Sequence, residues 1–145
     1  MNLRGASVAG FAVMIAGIGW LLQRHALLAR SLPGMVVQVL AVLLMIAARL
    51  TFGRRSFHAA ADPTTGSLMT SGPYAVLRHP IYAAVLYFVW AAAFDHRGAA
   101  ASAAALLVTS GAAIRMYAEE ALLASTYPDY AAYRVRTARV IPFIL

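Results

Sequence analysis

Four stretches without a charged residue govern what this chain can become: residues 6–22, 32–48, 81–94 and 98–114. At 1.5 Å per residue, the first covers about 26 Å of a hydrocarbon core about 30 Å thick, and Leu3 with a snorkelling Arg4 extends it. That is long for the apolar region of a signal peptide, and no small-x-small cleavage site follows before Ser31. The second run carries Pro33 where a helix start tolerates proline, and Gln38 is its one strongly polar residue. The third is short, so its helix is expected to begin at Pro80 or earlier and to form a tight hairpin with the fourth across Asp95-His96-Arg97-Gly98. The expected fold is therefore all-α: a polytopic membrane helical bundle of about four transmembrane helices, with a cytoplasmic interfacial C-terminal helix. Residues 1–145 form a single integral membrane domain, divided into an N-terminal helix pair (1–50) and a core (72–145), with residues 59–71 a loop.

Composition narrows the function classes. The chain is 62% hydrophobic and 12% charged, against about 45–50% and 25% for soluble domains. No cysteine is present, so thiol nucleophiles, disulfides and thiolate metal sites are excluded. His25, His58, His79 and His96 show no ligand spacing, so no metal is expected. The net charge of +7 comes from twelve arginines and five acids. Because those arginines punctuate apolar runs rather than form one water-facing patch, nucleic acid is not an expected partner. Four crossings would place Arg4, Arg49, Arg54, Arg55, Arg78, Arg115, Arg134, Arg136 and Arg139 on one side and Arg24, Arg30 and Arg97 on the other. The positive-inside rule then puts both termini in the cytoplasm. The brevity of the chain and its alanine and arginine bias suggest a bacterial inner membrane.

Chemistry is concentrated in three places. Gly72-Pro73-Tyr74 and Arg78-His79-Pro80-Ile81-Tyr82 lead into the third apolar run. With Pro80 at the first helical position, backbone N–H groups face the Arg78-His79 corner, which suits an anion. Tyr82 lies three residues beyond His79, so the two rings can hold an aromatic or cationic ligand between them. Interfacial anchoring by Arg78 and the tyrosines, with His79 as a cap, is the simpler reading of the same residues. Glu119 and Glu120 stand near the C-terminal end of the fourth helix, where they oppose the macrodipole and call for partners. Arg115, four residues before Glu119, can pair with it; Glu120 has no such local partner and is the better functional carboxylate. The tail repeats tyrosine at Tyr127, Tyr130 and Tyr133 and continues through Arg134, Arg136 and Arg139, the pattern of a short interfacial helix whose arginines can also grip a carboxylate.

Taken in order, Gly72-Pro73-Tyr74, Arg78-His79-Pro80-Ile81-Tyr82, Glu119-Glu120 with Leu123, Tyr130 with Tyr133, and Ile141-Pro142-Phe143-Ile144 resemble the isoprenylcysteine carboxyl methyltransferase family of integral membrane enzymes. The resemblance covers residues 72–145. It implies an S-adenosylmethionine pocket built from the last membrane helices and the tail, with S-adenosylhomocysteine as product. His79, Pro80, Tyr82, Glu119, Glu120, Tyr130 and Tyr133 would bind the cofactor, and Arg136 would orient the substrate carboxylate as the catalytic residue. The implied substrate is an isoprenylcysteine-like or other amphipathic molecule that enters from the bilayer among the membrane lipids. The sequence departs from the family at Ala84, where a glycine is usual, and at Asp95-His96, in place of Asn-Pro. A lipid N- or O-methyltransferase is the nearest alternative. A non-catalytic membrane subunit or transport component is the alternative from another class, and a nicotinamide-dependent membrane reductase is a third, which the paired glutamates disfavour.

Overall fold

The computed structural model describes residues 2–53 and 68–144. Five α-helices follow in order: α1 (Leu3–Gln23), α2 (Leu32–Phe52), α3 (Pro80–His96), α4 (Ala99–Thr126) and α5 (Tyr130–Arg136), with a 3-10 turn at Gly72–Ala75 before α3. Among the described residues there is no strand, only a single parallel bridge between Leu77 and Ala138. The expected loop at residues 59–71 lies outside the described residues except for 68–71, as do His58, Arg54 and Arg55.

Each helix boundary has a local cause. Asn2 caps α1 by accepting from the Gly5 N–H, and Ser31 caps α2 by accepting from the Gly34 N–H, both at 3.2 Å. Pro80 opens α3, and Arg97 in the left-handed conformation closes it. Gly98 alone then separates Arg97 from the start of α4, which makes the anticipated tight hairpin. By length and composition α1, α2 and α4 are long and apolar enough to cross a membrane. The seventeen residues of α3 give about 26 Å, a little short of the core. The outer face of α2 is consistently apolar, with Leu32, Val39, Leu40, Leu43 and Leu50 all more than half exposed, as a lipid-facing surface should be.

Packing does not follow chain order. The N-terminal helices do not form a mutual pair: α1 lies on α4, α4 on α3, and α3 on α2. With no water for apolar side chains to escape, membrane helices associate through close backbone approach, and small residues permit it. A methyl added at Gly111 would stand 2.5 Å from the Gly10 carbonyl, and one at Gly17 would stand 2.7 Å from Val108. Gly19, by contrast, meets nothing.

The α1–α2 connection runs over the far end of α3. Asp95 accepts from the Arg30 N–H at 2.6 Å and the Ser31 N–H at 3.2 Å, and His96 bonds the Leu28 carbonyl at 2.9 Å. Gln38, buried, accepts from the Ala29 N–H at 3.0 Å and donates to the Leu27 and Phe88 carbonyls at 2.9 and 3.1 Å. One polar residue in an apolar run thus adds two bonds to the connection, beside those from Asp95 and His96, and ties it to α3.

Candidate functional site

At the opposite end of the α3–α4 hairpin, the tail is stitched onto the entry to α3. Arg78 N–H donates to the Ala138 carbonyl at 2.7 Å, Ala138 N–H to the Val76 carbonyl at 3.0 Å, and His79 N–H to the Arg139 carbonyl at 3.1 Å. The Tyr87 hydroxyl adds a bond to the Val140 carbonyl. Gly72 explains the start of the Gly-Pro-Tyr motif: its φ is +56°, and a Cβ there would lie 2.7 Å from the Thr51 hydroxyl oxygen. Tyr74, from the same motif, is buried, and its carbonyl accepts from the Tyr133 hydroxyl at 2.7 Å.

Four elements converge on the paired glutamates. Glu120 Oε1 faces His79 Nε2 at 3.1 Å, Arg78 Nε at 3.2 Å and Arg139 Nε at 3.0 Å, while its Oε2 takes Arg139 Nη2 at 2.8 Å. The carboxylate that lacks a partner within its own helix therefore takes three from elsewhere. Of these partners Arg139, with its side chain 40% exposed, is the one nearest to water. Arg78 also donates to the Arg134 carbonyl at 2.9 Å and to the Thr137 carbonyl, binding the tail helix to the α3 entry.

Glu119 forms the other half of the cluster. Its Oε1 accepts from the Tyr82 hydroxyl at 2.5 Å and from Arg115 Nη2 at 3.1 Å, the expected i,i+4 ion pair. Its Oε2 lies 3.7 Å from His79 Nδ1, so the imidazole has a carboxylate at each nitrogen. Arg115, buried within the bundle, also bonds the Tyr82 hydroxyl and the Ser7 carbonyl and lies 5.1 Å from the centre of the Phe11 ring. The α1 helix thereby joins the cluster. The His79 and Tyr82 rings are 5.7 Å apart and tilted by 50°, in contact with each other, so a flat ligand has no slot between them as they stand.

The tail supplies the remaining expected residues. Tyr130 and Tyr133 are buried, with centroids 6.2 Å apart. Burial pushes both hydroxyls up to about 12, helped at Tyr130 by the Glu120 charge and at Tyr133 by Tyr130. The Tyr130 hydroxyl, on a residue only 2% exposed, has no hydrogen-bond partner among the described residues. Pro80 is buried at the first turn of α3, and Ala84 is buried inside the bundle. Arg136 is exposed, donates among the described residues only to the Ala132 carbonyl of its own helix at 3.3 Å, and lines a groove of about 490 Å³ together with Arg78 and Arg139. Arg139 is a tail arginine that the sequence does not single out from its neighbours. Its role is set by a contact with Glu120 nineteen positions away across a helix break, for which the sequence gives no spacing signal.

The phospholipid methyltransferase family model matches residues 30–130, about seven-tenths of the chain. The chain belongs to that family. It is an enzyme, a membrane methyltransferase, and the family sits in the same superfamily as the isoprenylcysteine enzymes whose motifs the sequence resembles. The match includes Arg78, His79, Tyr82, Glu119, Glu120 and Tyr130, and it ends before Tyr133, Arg136 and Arg139. No curated protein and no solved structure matches this methyltransferase.

Proposed function

We propose that the protein transfers a methyl group from S-adenosylmethionine to an amphipathic, lipid-borne carboxylate at the cytoplasmic end of the bundle. The observation that carries this reading is the junction of two polar environments: the His79–Glu119–Glu120–Tyr82 cluster, and the Arg136 groove beside it. The buried Tyr130 hydroxyl without a partner, close enough to Glu120 to feel its charge, fits a polar ligand such as a nucleoside.

When bound, S-adenosylmethionine supplies a methyl group on a positively charged sulfur. An ionised carboxylate takes that group by in-line displacement with both charges lost and no proton to remove, so the protein has mainly to position and to exclude water. Glu119, with 22% of its side chain exposed, is the carboxylate open to cofactor polar groups. Tyr82 and His79 wall the cluster, and Arg136, with donors to spare, orients the acceptor oxyanion. An apolar chain reaches the groove from the bilayer, past Phe143 and Ile144.

The family match favours a second reading, in which the acceptor is a headgroup amine or hydroxyl of a phospholipid. That chemistry releases a proton, and His79, flanked by two carboxylates, is the candidate to receive it. The two readings separate in one experiment: the purified protein in lipid nanodiscs, tritiated S-adenosylmethionine, and lipophilic carboxylates or phospholipids as acceptors. A base-labile product that releases volatile methanol identifies a methyl ester, and a base-stable product identifies methylation at nitrogen or an ether oxygen. Absence of S-adenosylhomocysteine binding by calorimetry in the same nanodiscs would overturn the cofactor assignment.

A further inference from the structure

The groove beside the cluster holds more hydrogen-bonding capacity than the protein uses. A guanidinium offers five N–H donors. Arg78 spends its Nε on Glu120 and its Nη1 on two carbonyls, Arg139 spends Nε and Nη2 on Glu120, and Arg136 spends Nε alone. Nη2 of Arg78, Nη1 of Arg139 and both Nη groups of Arg136 therefore have no protein partner among the described residues. Glu120 balances one of the three charges, and among the described residues no acid lines the groove. Its rim is apolar and open: Val135, Phe143 and Ile144 are 87%, 94% and 75% exposed. A cluster of this kind in plain water would be unfavourable, but against a bilayer it is buried.

Unspent guanidinium donors beneath an apolar rim match an oxyanion that carries hydrocarbon chains, and the groove lies where the tail meets the entry to α3, at the end of membrane-length helices, where headgroups would stand. We infer that the groove binds the phosphate of an anionic glycerophospholipid from the surrounding bilayer. This site goes beyond methyl transfer and stands without it. Only one consequence rests on the proposed function: a carboxylate acceptor has to displace this lipid from Arg136 as it enters.

The test places a reporter on the rim. Val135→Trp protein is reconstituted into nanodiscs containing brominated phosphatidylglycerol or brominated phosphatidylcholine at equal mole fraction, and quenching is corrected for Trp20 and Trp90 with the unsubstituted protein. Stronger quenching by phosphatidylglycerol is expected, with the preference reduced about fivefold by Arg136→Gln, the effect of one cation at a membrane surface. Arg136→Gln decides the matter because Arg136 holds no other described segment in place, whereas Arg139→Gln also removes two of the bonds to Glu120. Equal quenching by the two lipids, or a preference that survives Arg136→Gln, would overturn the site. If millimolar inorganic phosphate abolishes the preference, the groove takes a free anion and the lipid assignment fails. None of these readouts needs cofactor or turnover, so they fail or succeed independently of the methyltransferase reading.

Discussion

Asp95 and Glu120 are carboxylates at opposite ends of one helical hairpin, about 30 Å apart along α4, and each is held by donors from a distant segment. At Asp95 the donors include the backbone N–H groups of Arg30 and Ser31, fixed by the chain that carries them. At Glu120 the donors are the side chains of Arg78, His79 and Arg139, and the last is on a flexible stem that can swing away. A carboxylate bonded to backbone closes a structure. One bonded to long side chains can exchange its partners for a ligand, which is the reason the proposed function is built on the cluster around Glu120 and not on the strap at Asp95.

Glu120→Gln should have the largest effect on this contrast. It strands Arg78, whose side chain is only 10% exposed, and the loss of one partner from a buried pair costs about 3 kcal/mol or more. The unfolding midpoint should fall, and trypsin should cut the tail at Arg134, Arg136 and Arg139 faster than in the parent protein. A tail as resistant as before would show that the backbone stitches to residues 76–79 suffice. Gln38→Leu attacks the opposite end: it leaves the Ala29 N–H and two carbonyls without their partner, at a cost of about 1–3 kcal/mol. S-adenosylhomocysteine affinity should stay unchanged in this variant, and a parallel loss would mean that the two ends are coupled.

A smaller effect is expected from pH. Because the fold holds Tyr130 and Tyr133 protonated up to about 12, against an unfolded value of about 10, their contribution is complete below pH 10 and is lost as pH rises through 12. Tyrosinate absorbance measured alongside unfolding should show both changes together in that window. Loss of structure two units earlier would place the rings in contact with water. Smallest of all is the effect of Arg136→Gln on stability, within about 0.5 kcal/mol for an exposed residue that bonds only its own helix. On the proposed function, the same change should raise KM for the acceptor several-fold, and an unchanged KM would remove Arg136 from acceptor binding.

Helix positions were legible because charge-free runs, prolines and turns are local signals: Pro33, Pro80 and the Arg97-Gly98 turn act within a few residues of where they stand. The Arg115–Glu119 pair was legible for the same reason, being one helical turn long. Partnerships between segments were not. Nothing in the α1 sequence says that Gly10 meets Gly111 rather than a residue of α2, because a small residue records room for a neighbour and not its identity. Glu120 was recognised as lacking a partner on its own helix, yet its three partners lie in the α3 entry and the tail, where only the folded chain brings them within reach. The same limit hid Gln38, which looked like an exception in an apolar run and is the anchor of the α1–α2 connection.

The pairing of α1 with α4 also sets an order of assembly. During synthesis α1 is made before α4, yet the surface formed by Gly10 and Gly17 must wait until α4 has been inserted, with α2 and α3 produced in between. Until then it is open to lipid and to any other helix that offers a groove of small residues. The bond from Arg115 to the Ser7 carbonyl, between residues 108 positions apart, is consequently among the last to form. The residues that line the cluster then come together late, when α1 closes against α4.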